Sequence, residues 1–185
     1  MSKLSHAICS HLDCKSSMVG AEVGVLCGRL SADMLRQIPR LHLVMVDLWR
    51  SPPEDGEYVR TGDPLAMISR ESFSKAKSTA MKNVAFAEGR YTVIQQDSAE
   101  AAGNFPDSHF DFVFIDACHA RAACYRDIVA WCPKVNRGCL LCGHDYNVPG
   151  PTGRFGVKEA VDQFVEEHKL NLILGQSHTW FTRIP

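Results

Sequence analysis

Two glycines four residues apart, in Glu22-Val23-Gly24-Val25-Leu26-Cys27-Gly28, leave an apolar run and open a helical pattern. Such a turn can press backbone amides against a ligand, because glycine has no Cβ and tolerates positive φ. An ordinary strand-to-helix turn would read the same way. Glu22, two residues before the first glycine, favours a ligand: a carboxylate there accepts from an ammonium or amide and repels phosphate. Asp47 closes a second apolar run about 20 residues on, where an acid takes both hydroxyls of a ribose or simply ends a turn. Asp97 and Ser98 close a third, either against an adenine edge or as the cap of a helix from Ala99.

Asp116 closes a fourth run, with His119 three residues later, and His144-Asp145-Tyr146-Asn147 closes a fifth. Carboxylates at the carboxyl ends of central parallel strands lie where open α/β sheets bind ligands. Asp116, His144, Asp145 and Asn147 could therefore meet at one rim. Oxygen donors with an imidazole suit magnesium or manganese, although solvated loop caps have the same composition. Imidazole titrates near neutrality, so His119 and His144 are also candidate general bases.

The elements that must hold these residues alternate. Strand-like runs at 19–25, 41–47, 90–96, 110–116 and 135–142 are separated by helical patterns at 29–37, 65–83, 99–102 and 120–131, after a lead-in helix at 4–15. An amphipathic helix at 157–168 precedes two last strands, 171–174 and 179–184. Near-continuous apolar strands joined through helices make a parallel sheet covered on both faces. Gly175-Gln176-Ser177-His178 is too short for a parallel crossover, so the last strand runs antiparallel to its neighbour. The expectation is one domain over residues 1–185, with 1–18 as a helical lead-in. Its fold is a doubly wound, Rossmann-like, mostly parallel seven-stranded sheet with an antiparallel last strand and helices on both faces. Turn-rich loops at 51–64 and 144–155 would cover the site.

Twenty basic and 21 acidic residues leave a net charge of −1, which advertises no face for nucleic acid. No apolar run is long enough to span a membrane, and no secretory cleavage pattern follows Met1, so a cytoplasmic protein is expected. The eight cysteines (Cys9, Cys14, Cys27, Cys118, Cys124, Cys132, Cys139 and Cys142) read as reduced thiols. Cys139 and Cys142 would point to opposite faces of one strand and could not share a metal.

Glu22 to Gly28 resembles the first motif of class I S-adenosylmethionine (SAM)-dependent methyltransferases. Phe110-Asp111-Phe112-Val113-Phe114-Ile115-Asp116 with His119, and Gly138-Cys139-Leu140-Leu141-Cys142-Gly143-His144-Asp145-Tyr146, are similar to small bacterial-type O-methyltransferase-like domains acting on catechols, antibiotic sugars and related hydroxylated molecules. The likeness covers residues 19–183. It implies that Glu22 and the backbone of Gly24, Val25, Leu26, Cys27 and Gly28 face the methionine part of SAM. Asp47 would hold the ribose, Leu48 or Trp49 would pack near the adenine, and Asp97 and Ser98 would line its edge. Asp116 would stand beside the cofactor amino group.

In metal-dependent relatives, Asp116 would also bind the ion with the acid after the fifth strand. Those relatives often carry Asp-Asp or Asp-Asn there, whereas this chain has His144-Asp145. The metal set is then Asp116, His144 and Asp145, for Mg2+ or another divalent cation, and the catalytic set Asp116, His119 and His144. The implied reaction is O-methylation of a small hydroxylated acceptor. Two alternatives are a catalytically silent SAM-binding or partner-binding domain and an NAD(P)-dependent oxidoreductase. The latter needs Gly-x-Gly-x-x-Gly, which this loop lacks. The partner expected is a small-molecule acceptor, not nucleic acid or a membrane, and a homodimer is one assembly open to the chain.

Overall fold

The computed structural model describes residues 2–12, 17–54 and 56–185. Side chains alternate across a strand, so each apolar run feeds two cores at once. The strands are β1 (Met18–Val23), β2 (Leu41–Val46), β3 (Tyr91–Ile94), β4 (Phe110–Ile115), β5 (Val135–Gly143), β6 (Ile173–Leu174) and β7 (Trp180–Arg183). They form one sheet in the order β3-β2-β1-β4-β5-β7-β6. β1 to β5 pair parallel, and β7 runs antiparallel between β5 and β6, with Cys142 opposite Phe181 and Leu174 opposite Trp180. The order reverses at β1 and β4, whose carboxyl ends flank the crevice where such sheets bind ligands.

Among the described residues the helices are α1 (Lys3–His11), α2 (Arg29–Gln37), α3 (Glu57–Arg60), α4 (Arg70–Val84), α5 (Ser98–Ala102), α6 (Arg121–Trp131) and α7 (Val157–His168), of which all but α3 bury side chains against the sheet. On one face Leu41, Leu43, Met45, Phe112 and Phe114 meet Ile8 of α1, Met34 and Leu35 of α2, and Phe73 and Ala80 of α4. On the other, Val44, Val46, Val113 and Ile115 meet Ala101 of α5, Ile128 and Trp131 of α6, and Val161 and Phe164 of α7. Each such large side chain, fully buried, contributes roughly 1.5–3 kcal/mol. Phe112 can lie across β1 because residue 20 is glycine: a Cβ there would stand 2.1 Å from the ring.

The doubly wound, mostly parallel sheet read from the sequence is the one observed, antiparallel last strand included. Local limits differ. The helix predicted from Leu65 begins at Arg70, because the Ser69 side chain accepts from Ser72 N and caps it there. Pro64–Met67 forms a separate 3-10 turn capped by Asp63, and α3 was not foreseen in a loop of turn formers. α1 ends at His11; Cys14 and the remainder of the predicted lead-in, 13–15, lie outside the described residues. None of the described cysteines forms a disulfide. Among the described residues no helix is long and apolar enough to cross a membrane.

Candidate functional site

A cavity of about 580 Å³ opens at the carboxyl ends of β1, β2, β3 and β4 and extends to the end of β5. Its floor is the loop after β1. Gly24 adopts φ +95°, and a Cβ on it would fall 1.9 Å from the Asp116 carbonyl oxygen, so only glycine lets the chain pass the end of β4. Leu26 (φ 49°) and Gly28 (φ 66°) complete the reversal into α2. Asp47 holds that loop from β2. One of its carboxylate oxygens accepts from Val25 N at 2.9 Å and Leu26 N at 2.8 Å, and the other from Trp49 N at 2.7 Å. Glu22, Gly24, Val25, Leu26, Cys27, Asp47 and Leu48 border the cavity. Gly28 sits behind it, against Ala80 of α4.

Glu22 is the polar exception on the otherwise apolar α2 face of β1. It is 2 % exposed and accepts from the Ser31 hydroxyl. Burial pushes its carboxyl up to about 8 against the lowering effect of Ser31, with Asp116 and Asp47 adding to the rise. Trp49 does not face the cavity. Its indole is buried in the α2–α4 core and donates to the Leu26 carbonyl at 2.8 Å, so of the two residues expected near an adenine only Leu48 borders the space.

At the far end Asp97 caps α5 through Ala99 N (3.1 Å) and Glu100 N (3.3 Å), and its second oxygen pairs with Arg126 at 3.2 Å. The capping reading is thus realised, while Asp97 and Ser98 still line the cavity. Asp127 of α6, which no sequence pattern singled out, lies beneath them. Burial lifts its carboxyl to about 7, opposed by a hydrogen bond from Ser98.

The near end holds the acid–imidazole cluster. Asp116, His144 and Asp145 each offer a ligand atom, all within 4.8 Å of one another. His144 Nδ1 is 3.1 Å from Asp145 Oδ1 and 4.0 Å from Asp116 Oδ1. Burial alone would lower its pKa, but these carboxylates raise it. Two carboxylates with an imidazole suit a hard or borderline dication. His119 competes for the same charges. Its Nε2 lies 2.9 Å from Asp145 Oδ2 and 3.6 Å from Asp116 Oδ1, close enough for ion pairing yet not aligned as a hydrogen bond to either.

On its other side His119 Nδ1 bonds to Asp63 at 2.7 Å, and the Phe155 ring stacks on it at 4.4 Å. Burial works against the imidazolium, but Asp116, Asp145 and Asp63 outweigh it and lift the pKa to about 11. Three carboxylates around one ring favour its charged form, which makes His119 a poorer proton acceptor than a free imidazole. Asp145, with φ 59°, has its carboxyl pulled well below the usual range by His119 and His144 despite burial.

Asp63 escaped the sequence reading as a site residue because it sits in a turn-rich loop with no periodicity. The Tyr58 hydroxyl donates to Asp63 at 3.2 Å, and the Thr152 hydroxyl to the Thr61 carbonyl at 2.6 Å. The two loops expected to cover the site are therefore tied to each other and, through His119, to the rim. Asn147 is not among the cavity's lining residues.

A family model described as a methyltransferase domain matches residues 21–146. A comparison with curated proteins finds no match. Among solved structures, a precorrin-6y C5,15-methyltransferase from Geobacter metallireducens is 13 % identical, with a TM-score of 0.66 over 97 % of this chain and 86 % of that one. The O-methyltransferase NovP is 15 % identical, with a TM-score of 0.66 over 97 % and 76 % of the two chains. The calicheamicin methyltransferase CalS11 is 15 % identical, with a TM-score of 0.64 over 91 % and 72 %. At these identities the structural likeness speaks for the fold alone.

Proposed function

The chain belongs to the methyltransferase-domain family of SAM-dependent enzymes, and from that premise we propose that it transfers the SAM methyl group to a hydroxyl of a small molecule. The observation that carries the hydroxyl assignment is the meeting of Asp116, His119 and Asp145 at one end of the cavity, with His144 beside Asp116 and Asp145 but outside the lining residues. In this reading the methionine part of SAM lies over residues 24–28 with its ammonium toward Glu22 and Asp116. The ribose lies at Asp47, and the adenine lies between Leu48 and the Asp97–Ser98 turn. Asp47 already takes three amides, so it meets the ribose with the carboxylate capacity that remains.

Methyl transfer is an in-line displacement. The acceptor oxygen bonds to the methyl carbon while the carbon–sulfur bond breaks, its electron pair going to sulfur. Aligning the two at roughly 3 Å accounts for about 7–11 kcal/mol of barrier reduction. The hydroxyl proton leaves toward His144, whose two carboxylate neighbours both lie on Nδ1, whereas His119 meets a carboxylate at each nitrogen. Asp145 orients that ring and stabilises its charged form. His119 presents a fixed positive charge toward the same rim, which favours an oxyanion there. A divalent ion held by Asp116, His144 and Asp145 would lower the hydroxyl pKa directly.

The test is methyl release from SAM on a panel of hydroxylated acceptors, matched with their amine and thiol analogues, in magnesium and in EDTA. Transfer confined to hydroxyls, with turnover reduced at least 100-fold in Asp116→Ala, supports the reading. Unchanged turnover in that variant, or a preference for amines, sinks it. Full activity in EDTA removes the metal and leaves His144 as the base.

A further inference from the structure

Residues around His119 face in two directions. Cys118 and His119 border the cofactor cavity, whereas Ala120 and Arg121 border a second depression of about 550 Å³. The covering loop does the same, with Tyr58 on the first and Glu57, Arg60 and Thr61 on the second. Tyr58 and His119, edge to face with ring centroids 6.3 Å apart, stand on the cavity side of the boundary between the two, each next in sequence to a residue of the second depression.

Three arginines from separate elements line this depression: Arg60 at the end of α3, Arg121 at the start of α6 and Arg154 in the loop after β5. The ion pairs of the described residues engage Arg36 and Arg126 but none of these three. Arg121 donates to the neutral Gln163 side chain at 2.9 Å, and Glu57 is the one acid among the lining residues. Arg121 also breaks a local rule. It opens an 11-residue helix with no side-chain cap and no acid in its first turn, where the helix dipole disfavours a cation. Three like charges gathered there repel one another unless an anion joins them. Guanidinium forks match the paired oxygens of phosphate and carboxylate.

We propose that this depression receives an anionic group, phosphate or carboxylate, carried by the methyl acceptor. The acceptor's hydroxyl reaches past Tyr58 and His119 to the methyl group. The proposal rests on the methyl-transfer reading, and the two fail in different measurements.

The experiment is an NMR titration of the full chain, following arginine side-chain and backbone signals, with inorganic phosphate and separately with acetate, at ionic strength held constant by sodium chloride. S-adenosylhomocysteine (SAH) is titrated in parallel by calorimetry. Expected is a saturable shift at Arg60, Arg121 and Arg154 with at least one anion, whose identity marks the acceptor as a phosphate ester or a carboxylic acid. The double variant Arg60→Gln/Arg154→Gln should weaken that anion at least tenfold while binding SAH as wild type does. Phosphate or acetate must also bind when SAH is saturating. Non-saturating shifts, equal responses in the double variant, or displacement of the anion by SAH would overturn the proposal. Wild type that takes the anion but not SAH would overturn the acceptor role and the methyl-transfer reading with it.

Discussion

Glu22→Gln isolates one proton in the floor of the cavity. The carboxyl is buried, and its pKa is raised from an ordinary 4.5 to about 8. Between those values the unfolded chain ionises Glu22 while the folded chain keeps it protonated, so folding becomes less favourable as pH rises. Below pH 4.5 the contribution is fully present, and above about 8 it has been lost. At about 1.4 kcal/mol per pH unit the whole effect is about 4–5 kcal/mol, of which about 3 kcal/mol has gone by pH 7. Glutamine has nearly the same shape, keeps a partner for Ser31 and does not titrate. Urea unfolding of both proteins from pH 4.5 to 8.5 gives the difference directly, because every other ionisable group is shared. The variant should gain on wild type by about 3 kcal/mol at neutral pH and by more at pH 8.5. A difference that stays flat within about 1 kcal/mol across that range would refute the buried, protonated carboxyl.

If Glu22 must ionise to receive the SAM ammonium, cofactor binding at pH 7 should release a proton. Calorimetry in buffers of different ionisation heat should then show a buffer-dependent enthalpy in wild type and none in Glu22→Gln. Asp47→Ala leaves the amides of Val25, Leu26 and Trp49 without their acceptor, and is expected to cost about 1–3 kcal/mol in stability and at least tenfold in SAH affinity. Gly24→Ala drives a methyl into the Asp116 carbonyl at a φ of +95°, so its thermal midpoint should fall by at least about 8 °C, read by calorimetry. Asp63→Ala cuts the tie to His119, and amide exchange should quicken across residues 56–64 while the strand amides of β1 and β4 stay protected.

The strands and the acids that end them were readable because both leave local marks. A buried parallel strand is a continuous apolar run, and the residue that closes it is the first polar one, as at Asp47 and Asp116. Direction of the last strand was equally legible, since four residues cannot make a parallel crossover. What the sequence withheld are relations across the fold. Asp47 reads as a ligand residue, and nothing local shows that it also holds three amides of its own chain. Trp49 looks like a cofactor platform but fills the core. His119 carries no local mark of Asp63, which arrives on its Nδ1 from 56 residues away. No periodicity encodes that meeting, because turn-rich loops are placed by what they dock on.

The indole of Trp49, bonded to the Leu26 carbonyl, gives the protein a built-in optical gauge. Its three tryptophans are 4 %, 0 % and 1 % exposed at positions 49, 131 and 180, so emission should be blue-shifted throughout. Of these, Trp49 alone hydrogen-bonds to the glycine-bearing loop, while Trp131 bonds to Ser98 at the opposite end of the cavity. Pressure of a ligand on one end of the space should therefore perturb a different chromophore from pressure on the other. Replacing Trp180 together with either Trp49 or Trp131 by phenylalanine would leave one emitter to report which half of the cavity fills first.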